Sequence, residues 1–423
     1  MSRTAHPPKR PNITDVRRSL SPISRRLLDT AVAVASEQQR SLWLVGGAIR
    51  DFDMGFPVQN VDVSVDGSPA PLAESVARLV GGDVRHFPRF GTATVSVDHQ
   101  EIDFAWLRTE RYSRPGALPT VMPGATIEQD LARRDFSVNA IALGLTGPRR
   151  REVVDPFNGL DDLASRRLRT LHDRSFIDDP TRIWRAARYA ARLRLQLDDE
   201  TAELLAIGVG GLSRLSSRRL WAEFERAAGE RRTLATFRLL DKWRALRGGA
   251  RDLMFAPEAQ RALRHRPGPH PPALLLALML APLQRRNAVL ARLAPPRSVR
   301  DVVSATTRLR AAVGDGGANG TAIDVEAFEA SDPATRRAAL WLDPVRQRLL
   351  QRDLRRWERT RSPLDAIELI RMGYEPGPVL GSTLKQLRRE RYLGNLSSAA
   401  DARRSLAPAS AATEDTGRIE GTE

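Results

Sequence analysis

Leu44-Val45-Gly46-Gly47-Ala48-Ile49-Arg50-Asp51, followed eight residues later by Gln59-Asn60-Val61-Asp62-Val63-Ser64-Val65-Asp66-Gly67, decides how this chain reads. The first stretch is an apolar run that meets two glycines, the pattern of a strand turning into a helix. Glycines without Cβ let backbone N–H groups approach phosphate oxygens, and a helix start adds partial positive charge. A plain strand-to-helix turn has the same pattern. In the second stretch apolar and polar residues alternate. A strand there places Asn60, Asp62, Ser64 and Asp66 on one face, as the solvated face of an edge strand also would.

Working outward, a helical pattern over 24–38 precedes the first strand, and alternating segments at Ala93–Val97 and Ile102–Trp106 read as further strands. Beyond about residue 160 strand signals nearly vanish. Helical periodicity covers 179–195, 198–208, 215–229, 231–246, 271–294 and 297–313; Gly314–Gly320 reads as a linker, and helices are expected over 324–331, 333–341, 343–360, 363–371 and 378–391. The expected organisation is a flexible basic arm at 1–22, a head at 23–160, a neck at 161–240, a helical body and tail at 241–393, and a disordered end at 394–423.

A chain of 423 residues is too long for one core. It has no cysteine, which excludes disulfides, thiolate metal sites and cysteine nucleophiles. No run of about 18 apolar residues predicts a membrane span, and the first residues lack the apolar segment of a secretory signal, so a cytoplasmic location is expected. The net charge of +16 favours a polyanionic partner, because each neutralised phosphate releases counterions.

Further blocks follow in order: Arg89-Phe90-Gly91-Thr92-Ala93, Ile102-Asp103-Phe104-Ala105, Arg108-x-Glu110-x-Tyr112-Ser113-Arg114-Pro115-Gly116, Glu128-x-Asp130-Leu131-x-Arg133-Arg134-Asp135-Phe136-Ser137-Val138-Asn139-Ala140 and Asp155-Pro156-Phe157-Asn158-Gly159-Leu160. With Asp178-Asp179-Pro180-Thr181-Arg182-x-x-Arg185-Ala186-x-Arg188, this set resembles the class II tRNA nucleotidyltransferase (CCA-adding enzyme) and bacterial poly(A) polymerase family. The resemblance implies an α+β fold: a nucleotidyltransferase (polymerase β-like) head with a mixed sheet, followed by an all-α neck, body and tail. It departs from the family at Ser137, where Thr is usual, and at Asp178, where Glu is usual. It is strong over about 40–235 and weak over 370–400, where Met372-Gly373-Tyr374-Glu375-Pro376-Gly377-Pro378 resembles the family's tail.

The implied activity is template-independent transfer of CMP or AMP from CTP or ATP to an RNA 3′ end, with tRNA as the acceptor. Asp62 and Asp103 would hold Mg2+. Gly46, Gly47, Arg50 and Asp51 would face the triphosphate; Arg133, Arg134, Asp135 and Asn139 would contact phosphates or sugar. Asp179 and Arg182, with Arg185 and Arg188 on the same helix face, would handle the base. A carboxylate accepts from the exocyclic amine of cytosine or adenine, and a guanidinium donates to the adjacent ring nitrogen.

One departure matters most. The family has Asp-x-Asp where this chain has Asn60-Val61-Asp62. Two-ion phosphoryl transfer needs carboxylates that supply charge as well as oxygen. An amide offers one neutral carbonyl, so the two-ion site is impaired. Asp66 lies roughly 13 Å from Asp62 along an extended strand, too far to substitute. The alternative reading is a catalytically degenerate RNA- or nucleotide-binding protein on the same fold. No His-Asp pair follows the apolar helix of the body, and His265 and His270 flank an Arg-Pro-Gly-Pro segment that excludes helical ligand spacing.

Overall fold

A computed structural model describes residues 13–58, 60–314, 331–342, 352 and 355–406. The expected linker at 314–320 falls almost wholly outside them, as do the helix at 324–331, most of that at 343–360, and residues 1–12 and 407–423. The chain forms two compact units. One comprises the chain to Ala256 with Leu263–Pro272 and Arg285–Pro295; the other comprises Pro257–Ala262, Ala273–Gln284 and the chain from Pro296.

The first unit is built on a seven-stranded sheet. Its strands are β1 (Leu42–Val45), β2 (Val61–Val65), β3 (Asp83–Phe87), β4 (Thr92–Val97), β5 (Gln100–Trp106), β8 (Ala142–Gly144) and β9 (Val153–Val154); β6 (Arg108–Arg111) and β7 (Thr120–Pro123) form a separate hairpin. The order is β3-β4-β5-β2-β1-β8-β9, and only the β2–β5 pair is parallel. A parallel pair needs a crossover, here the helix Pro69–Val80 with the β3–β4 hairpin.

The head's helices cover one face of this sheet. Ser21 caps the helix Pro22–Glu37 by accepting from the Ser24 N–H at 3.1 Å, and Leu27, Leu28, Ala31, Val34 and Ala35 form its buried stripe. That stripe packs against Pro69–Val80 and β5. Each buried leucine or valine of that stripe contributes roughly 1.5–3 kcal/mol. The opposite face of β2 and β5 is left open, which is where the site forms.

The neck helix Thr181–Leu193 packs against Ser217–Ala228 and Thr233–Lys242. Trp184, Phe224 and Phe237 meet between them with ring centroids 5.4–6.5 Å apart. In the second unit the helix Pro272–Leu280 is buried over Leu274–Leu280, as an all-round apolar helix must be.

The structure corrects several boundaries. The arm expected at 1–22 contains the helix Ile13–Ser19, with Val16 and Leu20 buried. The disorder expected from 394 does not hold for 394–406: the helix Ala399–Leu406 packs with Leu364, Leu369, Leu380, Leu387 and Leu396 through Ala402. Its few small apolar residues suffice because that cluster already exists. The single helix expected at 271–294 is two, Pro272–Leu280 and Arg286–Leu293. The break contains Pro282, which lacks an N–H to donate. The helix expected at 231–246 breaks at Arg244, in left-handed conformation with φ 59°. Among the described residues no helix is long and apolar enough to cross a membrane.

Candidate functional site

The site opens where β1 ends. Gly46 turns the chain at φ 67° into the short helix Gly47–Asp53, and its N–H donates to the Ile141 carbonyl at 3.0 Å. The left-handed φ favours glycine, and a Cβ there would lie 2.8 Å from Arg134 Nη1 and displace that guanidinium. Asn60, exposed, is the last residue before β2. Asp62 lies within β2, directly opposite Asp103 of β5 in the parallel register. The Thr94 hydroxyl donates to Asp103 Oδ1. Burial, then the neighbouring Asp103, pushes the Asp62 carboxyl up to about 6, against the pull of Arg134, Arg50 and Arg185.

The polar stripe expected on β2 divides. Ser64 is buried and donates to Asp130 Oδ2 at 3.4 Å. Asp66 lies past the strand end, accepting from the Ser41 N–H at 3.0 Å and facing Arg40 at 3.7 Å. Only Asn60 and Asp62 reach the main hollow.

Arginines define the opposite wall, several of them fixed by buried acids. Asp130 accepts from Arg133 at 2.9 Å and Arg134 at 3.0 Å; Arg133 also reaches Glu110 at 2.8 Å. Burial opposes ionisation of Asp130, but these two guanidinium groups hold its carboxyl below the usual range. Asp135 accepts from Arg185 at 2.7 Å and from the Asn139 amide at 2.9 Å. Burial again opposes ionisation, yet Arg185, the Asn139 amide and Arg182 hold Asp135 at about 2. Asn139 in turn accepts from Arg50, which pairs with Asp51 at 2.7 Å. The Tyr189 ring gathers three guanidinium groups, with Arg50, Arg192 and Arg185 at 5.1, 5.3 and 5.5 Å from its centroid. Arg188 is tied to Glu230 at 2.9 Å.

The neck closes the pocket. Asp179 lies just before the helix and accepts from the Thr181 N–H at 3.2 Å and hydroxyl at 2.7 Å. It also pairs with Arg219 at 2.7 Å. Arg219 does not pair with Glu223, four residues on along its own helix: Glu223 takes Arg226, and the Arg188 guanidinium lies 3.8 Å from it. Arg182 is buried, donating to Ser175 Oγ at 2.6 Å and to the Arg133 carbonyl at 2.8 Å.

A hollow of about 560 Å3 results, lined by Gly46, Gly47, Arg50, Asp51, Asn60, Asp62, Arg133, Arg134, Asp135, Asn139, Asp179, Arg182, Arg185 and Arg188. Asp103 lines an adjoining hollow of about 410 Å3 that shares Asp62, Arg133 and Arg134. Sequence reading missed Tyr189, Arg219 and Glu223 as parts of this site. Tyr189 has a signal in hindsight: it is an aromatic residue inside the arginine-bearing face of the neck helix.

This is the architecture of a nucleotidyltransferase head joined to an all-α neck. Residues 42–169 match the Poly A polymerase head domain. The chain is 41% identical over 206 residues to an A-adding tRNA nucleotidyltransferase of Aquifex aeolicus, a match covering 48% of this chain and 25% of that protein. It is 40% identical over 206 residues to a CC-adding tRNA nucleotidyltransferase of Deinococcus radiodurans, covering 48% and 54% of the two chains. The matches thus span about half or less of these relatives' own length. The fold is also that of the Thermotoga maritima CCA-adding enzyme solved in complex with tRNA, with TM-score 0.73, 23% identity and coverage of 94% and 99%. Over about half of its length the chain is thus similar to tRNA nucleotidyltransferases, and residues 42–169 to the Poly A polymerase head domain.

Proposed function

We infer that the protein transfers CMP or AMP from CTP or ATP to the 3′ end of RNA without a template, with tRNA as acceptor, in the cytoplasm. One observation carries this reading: a single hollow brings together the Gly-Gly turn, Asp62, the braced arginines and the Asp179/Arg182 pair. These are the parts needed to hold a triphosphate at one end and a base at the other. Relatives named for A addition and for CC addition support it.

The residues have distinct tasks. Gly46, its own N–H held by the Ile141 carbonyl, makes the turn that brings the Gly47 N–H and the start of the following helix towards phosphates. Arg50, Arg134 and Arg185 supply positive charge from fixed positions, so little reorganisation is needed when phosphates arrive. Asp179 and Arg182 present an acceptor and a donor to the base edge. Arg219 and the Arg133 carbonyl hold that pair in place.

Asp62 and Asp103 are neighbours on adjacent strands, about 5 Å apart between backbones, and fit one hard divalent cation such as Mg2+. Such an ion, when bound, offsets negative charge on the reacting phosphate. The residues do not fit a second ion as well: Asn60 offers a neutral oxygen, and no cluster of three acidic or histidine side chains suited to a metal exists among the described residues. Turnover is therefore weakened relative to a site with three carboxylates. Asn60 equally supports a second reading, a binding protein without turnover.

Incorporation of labelled CTP and ATP into tRNA lacking its 3′ end separates the two. The enzyme reading requires incorporation by the natural chain and its loss in Asp62→Ala. RNA and nucleotide binding without incorporation establishes the second reading.

A further inference from the structure

The open face of the sheet continues past the carboxylates towards its edge. Strand register sets out two cross-sheet rows there. The first runs Asp62, Asp103, Thr94, Arg85 across β2, β5, β4 and β3; the second runs Ser64, Ala105, Thr92, Phe87 across the same strands. Directly paired residues share a face, and rows two residues apart are separated by roughly 7 Å. Phe87 ends the second row on the edge strand, with 43% of its surface exposed. It lines the 410 Å3 hollow together with Thr92, Thr94, Asp103 and the two shared arginines, Arg133 and Arg134.

We propose that this hollow seats the 3′-terminal nucleotide of the RNA acceptor, with its base stacked on Phe87 and its ribose hydroxyl towards Asp103. The proposal rests on the function inferred above. In that function the incoming triphosphate occupies the main hollow. The acceptor must then approach Asp62 from the adjoining one, because the two hollows meet at Asp62, Arg133 and Arg134. Phe87 lies two strands and one row from Asp103, about 12 Å between backbones, a span that a nucleotide and two side chains bridge. The side chains between them, Thr92 and Thr94, are neutral, while Arg133 and Arg134 serve the phosphate.

Stacking suits this task for a chemical reason. The acceptor's terminal base differs between successive stages of addition. A donor–acceptor pair would read only some of those bases, whereas an aromatic ring stacks on any of them. Phe87 is therefore a base-tolerant platform beside a base-selective pocket.

The test uses the full chain and two RNAs: tRNA lacking its 3′ CCA, and the same RNA with an abasic 3′-terminal residue. Fluorescence anisotropy reads RNA affinity, and ATP binding is measured in parallel. The natural chain is expected to favour the base-bearing end about tenfold. Phe87→Ala removes that preference without changing ATP affinity, and Phe87→Trp retains it. Equal weakening of both RNAs by Phe87→Ala, or no effect on either, overturns the subsite, as does an absence of preference in a natural chain that binds RNA. Binding of ATP but of neither RNA overturns instead the function on which the proposal rests.

Discussion

Asn60→Asp is the most informative change. Asn60 is exposed and lines the pocket, two residues before Asp62 and immediately ahead of β2. A carboxylate within about 4 Å of a bound cation gains roughly 4 kcal/mol per unit charge at an effective dielectric of 20. Solvent exposure reduces that gain. A retained part of about 1.4–4 kcal/mol strengthens Mg2+ binding roughly tenfold to a thousandfold. Without the cation the sign reverses. The new charge sits roughly 7 Å from Asp62, whose carboxyl is already pushed up to about 6 by burial and Asp103. Repulsion of about 1 kcal/mol follows at that distance. Thermal unfolding should therefore show a Tm about 2–4 °C lower than the natural chain in chelator, and a larger rise on adding Mg2+. Incorporation of labelled CTP and ATP into tRNA lacking its 3′ end should increase in step. An identical Tm response to Mg2+ in both chains, with equal incorporation, would refute the assignment of Asn60 to a lost ligand position.

Asp62 also sets a pH dependence. Its folded pKa, about 6, lies above the ordinary 3.8, so the metal-free fold loses stability as pH rises between those values, and Mg2+ competes with a proton below about 6. Mg2+ titrations should show affinity rising from pH 5 to 7 and then levelling, and Asp62→Asn should abolish the trend. Asp135, held at about 2, works in the other sense: its stabilisation is present above the ordinary 3.8 and lost as pH falls towards 2. Asp135→Asn should cost about 2 kcal/mol at pH 7, and the Tm gap from the natural chain should close in acid; a constant gap would mean that the Arg185 pair is not its source. Gly46→Ala, at φ 67° with Arg134 Nη1 2.8 Å from the new Cβ, should lose roughly 1–2 kcal/mol of stability and weaken ATP binding. ATP affinity unchanged by calorimetry would show that this turn does not shape the triphosphate site.

Much of the head was legible in the chain itself. The run Leu42–Val45 before two glycines and the alternation at Val61–Val65 identify β1 and β2 with the boundaries observed. Asp179 before Pro180 marks a helix start because a carboxylate there can satisfy N–H groups that no helical carbonyl reaches. What stayed hidden is equally specific. β3 is solvent-exposed along most of its length, so it lacks the apolar alternation that announces a strand. The helix Ala399–Leu406 has a small, polar composition and depends on leucines elsewhere in its unit for a partner.

By itself the sequence determined the parts: the glycine turn, the single retained strand aspartate beside Asn60, and the arginine-bearing neck helix. Tertiary structure alone decided their pairing. Asp62 and Asp103 are 41 positions apart and become neighbours only through the parallel register of β2 and β5. Arg219 reaches Asp179 rather than Glu223, one turn along its own helix, because packing of the neck helices places the distant carboxylate nearer than the local one. Local periodicity says which residues share a face; only the fold says which faces meet.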